Sequence, residues 1–174
     1  MQRVMIVGQP GSGKSTLARH MTAVTGLPVY HMDHVHWLPG WQERPRVEKI
    51  AMAHEIEAQA RWIFEGGLSA TYDNRLARAD TLIWLDLPVG LRLWRVTKRM
   101  IRNRGQNRPD MAEGCIEGWH SETVEFYRFI CRTRRTSRAR LQQLFASARP
   151  DQQRFHFYRR AQVSTYLRGL EGAG

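Results

Sequence analysis

The residues best suited to chemistry stand in one short stretch near the start of the chain, Gly8–Thr16, which reads GQPGSGKST. The spacing matches GxxxxGK[ST], the pattern of a phosphate-binding loop when a strand precedes it and a helix follows it. Glycines let successive backbone N–H groups turn toward an anion, and the start of the helix adds its positive dipole end. We therefore expect this stretch to bind the phosphates of a nucleoside triphosphate.

Three side chains of this stretch have distinct expected roles. Lys14 is expected to reach the β- and γ-phosphates, Ser15 to coordinate Mg²⁺, and Thr16 to add a hydroxyl at the α-phosphate. Contacts to the phosphates are also expected from Gly8, Gly11, Ser12 and Gly13. ATP and Mg²⁺ are therefore the expected nucleotide and metal.

The elements that must hold this loop alternate along the chain. Short apolar runs predict strands over residues 3–7, 27–33, 62–67, 80–88 and 154–158. Helical spacing and composition predict helices over residues 15–25, 47–61, 89–102, 119–132, 137–148 and 162–170. This alternation predicts an α/β fold, a P-loop NTPase fold with a mainly parallel five-stranded sheet flanked by helices. We expect a single domain over residues 1–174.

The charge balance points to acidic partners. The chain has 27 Lys and Arg residues against 16 Asp and Glu, a net charge of +11, and nearly all of the cations are arginine. Arginine binds phosphate groups bidentately, so nucleotides or nucleic acid are candidate partners. The alternative is that most of these arginines lie on solvated surfaces.

Other features of the composition limit the class of protein. No stretch approaches the roughly 20 apolar residues that span a bilayer, so we expect no membrane segment and a cytoplasmic location. Cys115 and Cys131 lack metal-ligand spacing and are expected to be reduced thiols. The aromatic residues in 37–41 are suited to a subunit interface or to a core, so the oligomeric state stays open.

Carboxylates stand at the ends of three predicted strands, and arginines follow the fourth. The carboxylates are Asp33, Glu65 and Asp86. Phosphoryl transfer requires alignment, Mg²⁺ and positive charge around the moving group, all of which these residue types supply. The base-reading motif NKxD of GTPases does not occur, which disfavours a GTPase.

Five segments carry a more specific resemblance. They read GQPGSGKST, YHMDHVHWLPGW, WIFEGG, LIWLDLP and KRMIRNRGQNRPDMAEGC. Together they resemble the adenylate-kinase-like small P-loop kinases, and in particular the bacterial topology modulation proteins. The resemblance covers most of residues 3–120, and a weaker match follows in RFHFYRRAQVSTYL near the end of the chain.

The resemblance implies roles for residues outside the loop. Glu65 stands where these kinases hold Mg²⁺ through water, and Arg95 and Arg99 stand at their phosphate-binding arginines. Residues from about 102 to 120 correspond to a short arginine-rich lid, with Arg108 and Asp110 at its tip. The expected catalytic residues are Lys14, Asp33, Arg95 and Arg99, and Arg99 and Arg108 are also expected to contact the nucleotide.

Asp33 matches the acidic residue that related kinases place beside the acceptor hydroxyl. If the acceptor is a hydroxyl, Asp33 is the candidate general base or a second contact to Mg²⁺. If the acceptor is a phosphate, no base is required. The metal-binding set expected from the chain is therefore Ser15, Glu65 and Asp33.

The chain departs from adenylate kinases after the third strand, where EGGLSATYDNRL replaces their DGFPR motif. Arg75 and Arg78 are candidates to replace the missing arginine, or they are solvated helix charges. Trp37 and Trp41 could stack on a ring of the acceptor or cover the edge of the sheet. The identity of the acceptor stays open.

Three further groups of residues have alternative interpretations. The histidines of YHMDHVH suggest zinc only weakly, because no cysteine accompanies them. Asp86 is expected to cap a helix or hold an arginine. One or two phosphate contacts are expected among Arg132, Arg134, Arg135, Arg138 and Arg140, with a solvated face or a nucleic-acid contact as alternatives.

These residues predict an ATP- and Mg²⁺-dependent phosphotransferase with a nucleotide or another small molecule as its acceptor. The alternative is an ATP-binding regulator of DNA topology, or another P-loop protein that binds nucleic acid. The alternative accounts for the net charge, but no recognisable nucleic-acid-binding motif accompanies it.

Overall fold

The computed structural model describes residues 1–118 and 122–172 of the chain. The strands are β1 Arg3–Gly8, β2 Val29–His31, β3 Trp37–Leu38, β4 Gln42–Glu43, β5 Trp62–Glu65, β6 Thr81–Leu85 and β7 Gln153–Phe157. The helices are α1 Lys14–Thr25, α2 Met32–His36, α3 Arg46–Ala58, α4 Tyr72–Arg78, α5 Val89–Arg102, α6 Glu122–Arg132, α7 Arg134–Ala146 and α8 Arg160–Glu171. Two 3₁₀ turns, Pro39–Trp41 and Ser69–Thr71, complete the elements.

Five strands form one parallel sheet in the order β2, β5, β1, β6, β7. Strand β1 lies at its centre, where Ile6 is level with Glu65 of β5 and Ile83 of β6. Residues 4–7 are buried on both faces, as expected for a central parallel strand that helices cover on both sides. The predicted α/β fold with a five-stranded parallel sheet is confirmed.

Alternate side chains of β1 enter two separate cores. Val4 and Ile6 pack with residues of α1 and α8 on one face of the sheet. Met5 and Val7 face the other side, where α3, α4 and α7 contribute apolar residues. This alternation follows from the two-residue period of a strand. Because β1 ends at Gly8, the loop that follows lies at the carboxyl edge of the sheet.

The second predicted strand, residues 27–33, is too long. Strand β2 ends at His31, and residues 32–36 form the short helix α2, so Asp33 lies on a helix. Met32 and Val35 are both buried in the same core. A continuing strand would have placed these two side chains on opposite faces, so burial of both favours a helical turn.

The boundaries of later helices also differ from the prediction. Only Thr133 separates α6 from α7, whereas the sequence analysis placed a longer break at residues 132–136. The backbone N–H of Ser137 donates to the carbonyl of Thr133, so helical bonding starts again at once. The predicted start of α6 at Trp119 lies outside the described residues. No helix in the described ranges is long and apolar enough to cross a membrane.

Candidate nucleotide and metal site

The loop between β1 and α1 is shaped to receive an anion. Gly11 has a φ of +78°, and a Cβ there would lie 2.5 Å from the carbonyl oxygen of Arg92. Gly13 caps α1 without a side-chain hydrogen bond, which leaves the helix N-terminus open to a ligand. The hydroxyl of Ser12 is buried and, within the described ranges, has no hydrogen-bond partner. These features fit a bound phosphate chain.

Two arginines of α5 brace this loop from outside. Arg92 Nη1 donates to Pro10 O at 3.3 Å, and Arg95 Nη1 donates to Ser12 O at 3.0 Å. Burial, and secondarily the charge of Arg160 at the start of α8, lower the pKa of Arg95. The structure therefore brings the predicted phosphate-binding Arg95 to the loop. Arg92 and Arg160 were not among the predicted site residues, although Arg92 lies one helical turn before Arg95.

The predicted metal-binding residues Ser15 and Glu65 meet at the carboxyl edge of the sheet. Ser15 Oγ donates to Glu65 Oε1 at 2.9 Å, and His31 Nδ1 lies 2.8 Å from the same oxygen. Burial raises the pKa of Glu65, but the hydrogen bond from His31 and the charge of Lys14 bring it below its ordinary value. Glu65 is therefore an ionised carboxylate beside the loop.

Gly66 allows the end of β5 to approach α2. Its φ is +109°, and a Cβ at this position would lie 2.5 Å from the Cβ of Met32. The close approach places Asp33 of α2 near Glu65. Burial and the neighbouring Glu65 charge raise the pKa of Asp33, although Lys14 and Arg108 act in the opposite direction. The pKa of Asp33 is thus raised, whereas the pKa of the neighbouring Glu65 is lowered.

Residues 103–118 form the part of the predicted lid that the structure describes, and we call them the lid segment. Within it, Arg108 Nη1 lies 2.8 Å from Asp110 Oδ2 and its Nε lies 2.6 Å from Glu117 Oε1. Arg99 Nε lies 3.6 Å from the same Glu117 oxygen. The predicted nucleotide-binding arginines are thus gathered around Glu117, which the sequence analysis did not single out.

The tip of the lid segment reaches the phosphate loop. Burial raises the pKa of Asp110, but the charge of Arg108 and the nearby Ser15 hydroxyl bring it below its ordinary value. Burial, together with the nearby Arg108 charge, lowers the pKa of Arg99. The tip of the lid segment therefore lies near Ser15, and it carries both a carboxylate and a guanidinium group.

The aromatic loop, residues 37–41, packs against the lid segment. Trp41 Nε1 donates to Ile116 O at 3.0 Å, and the N–H of Gly40 donates to Gly114 O at 3.2 Å. The rings of Trp37 and Trp41 meet edge to face at 5.6 Å. The sequence analysis proposed this loop as a ring-stacking surface or as a cover over the sheet edge. In the structure, the loop holds the lid segment.

Arg75 and Arg78 have a structural role that differs from both interpretations made from the sequence. Arg75 is fully buried and donates to Glu57, Thr71 and the carbonyl of Gly66. Arg78 donates to backbone carbonyls at the end of α3. Arg75 is therefore not a solvated charge, whereas the half-buried Arg78 keeps part of its contact with solvent.

Asp86 holds an arginine, as expected from the sequence. Its Oδ2 lies 2.9 Å from Arg138 Nη2 and 3.3 Å from His156 Nε2. Helix α7 also touches the phosphate loop, since Gln9 Nε2 donates to Arg134 O at 2.9 Å. One or two phosphate contacts among Arg132, Arg134, Arg135, Arg138 and Arg140 stay a prediction.

Two open cavities lie at the surface of the described structure. The first, of about 450 Å³, lies at the β2 edge and is lined by residues including Arg19, Tyr30, His31, His34, Met52 and Pro109. The second, of about 480 Å³, is lined by residues including Arg46, Ser69, Tyr72, Asp73, Arg140 and Gln143. Within the described residues, no group of three or more His, Cys, Asp or Glu could hold a metal ion by itself.

Solved structures of small kinases share this fold, a parallel sheet with a glycine-rich loop after its central strand. The chain is similar to shikimate kinase from Acinetobacter baumannii in complex with shikimate, with 16% identity, a TM-score of 0.60, and coverage of 99% of this chain and 93% of that one. Shikimate kinase from Bacteroides thetaiotaomicron gives 19% identity, a TM-score of 0.58, and coverage of 99% and 97%. These likenesses show the fold.

A third solved structure has the same fold with a different activity. Deoxyadenosine kinase from M. mycoides with bound dATP gives 13% identity, a TM-score of 0.54, and coverage of 98% of this chain and 99% of that one. No family model and no curated protein matches the chain. The closer resemblance to the topology modulation proteins therefore stays a prediction.

Proposed function

We propose that the protein is a single-domain, ATP- and Mg²⁺-dependent kinase of a small molecule or nucleotide. One observation carries the proposal: Ser15, hydrogen-bonded to Glu65 at 2.9 Å, lies beneath a segment that holds Arg108 and Asp110. A phosphate loop, a carboxylate beside its Ser hydroxyl and a covering arginine are the parts that phosphoryl transfer requires. The solved structures that share the fold include kinases with shikimate or dATP bound.

The phosphate loop binds the triphosphate in this proposal. Phosphate oxygens accept hydrogen bonds from backbone N–H groups and hydroxyls contributed by Gly8, Gly11, Ser12, Gly13 and Thr16. Lys14, whose Nζ lies 3.5 Å from Gln9 O, turns from its own loop to the β- and γ-phosphates. The free energy of nucleotide binding is favourable because these hydrogen-bond donors are already oriented before the nucleotide binds.

Ser15 and Glu65 would hold Mg²⁺, with Asp33 as a second carboxylate. Mg²⁺ commonly takes one or two carboxylates and completes its octahedron with water and substrate phosphates, so this donor set suits it. When bound, the ion neutralises charge on the phosphate oxygens. The low pKa of Glu65 keeps that carboxylate ionised and ready for a cation.

Arg95, Arg99 and Arg108 supply positive charge around the transferred group. Arg95 already lies on the loop, whereas Arg99 and Arg108 share the Glu117 carboxylate. Glu117 balances the buried guanidinium group of Arg108 and the half-buried one of Arg99 until phosphate oxygens bind beside them. The lid segment also excludes water, which strengthens each of these interactions.

Asp33 is the proposed general base for a hydroxyl acceptor. Its pKa is raised by burial and by Glu65, so it binds a proton more readily than an ordinary aspartate. A pair of carboxyl groups with separated pKa values allows one to stay ionised while the other exchanges a proton. If the acceptor is a phosphate, Asp33 acts only toward Mg²⁺.

The test is ATP turnover with a panel of nucleoside monophosphates and small alcohols. ADP formation that depends on an acceptor, is lost in Lys14→Ala and persists in the exposed control Lys98→Ala supports a kinase. The net charge of +11 favours one alternative, a regulator that binds nucleic acid. Absence of turnover with every acceptor, together with DNA binding that weakens steeply with salt, would establish that alternative instead.

A further inference from the structure

His31 occupies the point where strand β2 meets the metal side of the site. His31 pairs with Glu65 in the parallel register of β2 and β5, and His31 is only 7% exposed. Nδ1 lies 2.8 Å from Glu65 Oε1, the same oxygen that accepts the hydrogen bond from Ser15. One carboxylate oxygen therefore takes both contacts, which leaves Oε2 outside this pair of bonds.

The imidazole ring is held on its other side. His34 meets His31 edge to face, with 5.6 Å between ring centroids, and His34 Nε2 lies 3.1 Å from Pro109 O. The ring is thus fixed between Glu65 and a residue that contacts the lid segment. Because the His31 ring is held on both sides, its hydrogen bond restricts the rotation of the buried Glu65 carboxylate. Without this bond the carboxylate would have several orientations.

We propose that His31 is a positioning residue for the divalent cation, because it fixes the Glu65 carboxylate beside Ser15. The inference rests on the proposed function and adds to it a role for a residue outside the predicted metal set. Partners that orient a metal-binding side chain commonly change metal affinity by about 10- to 100-fold when they are replaced. The zinc interpretation of the YHMDHVH histidines is replaced by this indirect role.

The experiment measures Mn²⁺ binding to the protein in the presence of ATP by electron paramagnetic resonance, with Mn²⁺ as the probe for Mg²⁺. Three variants are compared with the wild type: His31→Leu, which removes the donor; His31→Asn, whose amide N–H replaces Nδ1; and His20→Leu, an exposed control on α1. ATP affinity without metal is measured in parallel by calorimetry, which reports whether the phosphate loop is intact.

We expect His31→Leu to weaken Mn²⁺ binding about 10- to 100-fold, with ATP affinity in the absence of metal unchanged. His31→Asn should recover most of the loss, and His20→Leu should match the wild type. Equal Mn²⁺ affinity in His31→Leu and the wild type overturns the inference while leaving the proposed function standing. A loss in His31→Asn equal to that in His31→Leu also overturns it. A wild type that binds neither ATP nor Mn²⁺ overturns the proposed function and the inference together.

Discussion

Arg75 and Glu57 form an ion pair with 3.0 Å between Nε and Oε1, and both side chains are fully buried. The same guanidinium donates to the carbonyl of Gly66, directly after Glu65, and lies 3.8 Å from the centre of the Phe64 ring. One side chain therefore ties α3, α4 and the end of β5 together. The Arg75–Glu57 pair supports the position of Glu65, because Arg75 holds the turn that begins at Gly66.

Removing one partner of the Arg75–Glu57 pair should destabilise the folded protein. Arg75→Met leaves the Glu57 carboxylate buried without its strongest partner, and we expect the free energy of unfolding to fall by about 3–5 kcal/mol. Urea denaturation followed by circular dichroism measures the change. The double variant Arg75→Met/Glu57→Gln should regain part of the loss, whereas exposed Glu55→Gln should change little. Wild-type stability in the single variant would contradict the role of the pair.

Gly11→Ala should damage the phosphate loop. The new Cβ would meet Arg92 O at 2.5 Å in a backbone with positive φ, so the loop must shift. Strain of this kind costs about 1–3 kcal/mol, and we expect ATP affinity to fall roughly 5- to 150-fold. Gly90→Ala is the matched control, because no atom lies within 4 Å of its Cβ. Calorimetric titration with ATP compares them, and equal affinities would show that the loop tolerates the side chain.

Arg99→Ala should lower turnover more than it weakens ATP binding. The guanidinium is half-buried beside Glu117, and its charge is needed most when negative charge moves between donor and acceptor. Arg102→Ala, at an exposed position on the same helix, is the control. Steady-state kinetics and ATP titration give the two quantities. Equal losses in both would argue for a binding role only.

Trp41→Phe should loosen the lid segment. The substitution keeps most of the ring contact with Trp37 but removes the hydrogen bond to Ile116 O, worth about 0.5–1.5 kcal/mol. We expect trypsin to cleave after exposed Arg104 roughly 2- to 10-fold faster, as followed by mass spectrometry. Trp94→Phe replaces an exposed ring on α5 and serves as control. Unchanged cleavage would show that the aromatic loop does not hold the lid segment.

His156 should make stability depend on pH. Its ring stacks on Trp84 with 3.8 Å between centroids, and burial lowers its pKa despite the neighbouring Asp86. The unfolded chain therefore binds a proton at a higher pH than the folded one. Stability from this group is present above the ordinary pKa of 6.5 and is lost as pH falls through the lower folded value.

Urea denaturation at about pH 7.5 and about pH 5, either side of the ordinary histidine pKa, measures this contribution. In His156→Gln, the loss of stability between the two pH values should be smaller than in the wild type. The control His20→Gln changes an exposed histidine and should keep the wild-type pH dependence. An equal pH dependence in all three proteins would rule out His156 as the source.

Prediction from the sequence was most successful where local pattern decides structure. The glycine-rich loop between β1 and α1 and the parallel strands around it follow from glycine spacing and from short apolar runs, and helix α5 has its predicted bounds. The second strand was predicted too long because no glycine or proline follows Pro28 before Asp33 to indicate where the strand ends. Burial of Met32 and Val35 in one core decided the helix there.

Pairings across the fold could not be predicted in the same way. The sequence analysis left Arg75 as either a replacement for the missing site arginine or a solvated charge, because its partner Glu57 lies 18 residues earlier on another helix. It also left His31 as a weak zinc candidate, since Glu65 lies 34 residues away. Spacing along the chain indicates which residues share one element, but not which elements become neighbours.

The sequence by itself determined the glycine-rich loop between β1 and α1, the class of fold and the residue types available for the proposed phosphoryl transfer. Each of these depends on short-range rules of backbone conformation and apolar periodicity. The tertiary structure alone decided that His31 and Ser15 converge on Glu65, and that Glu117 gathers the arginines near the loop. Those contacts depend on strand register and on helix packing, because both bring together side chains that are distant in the chain.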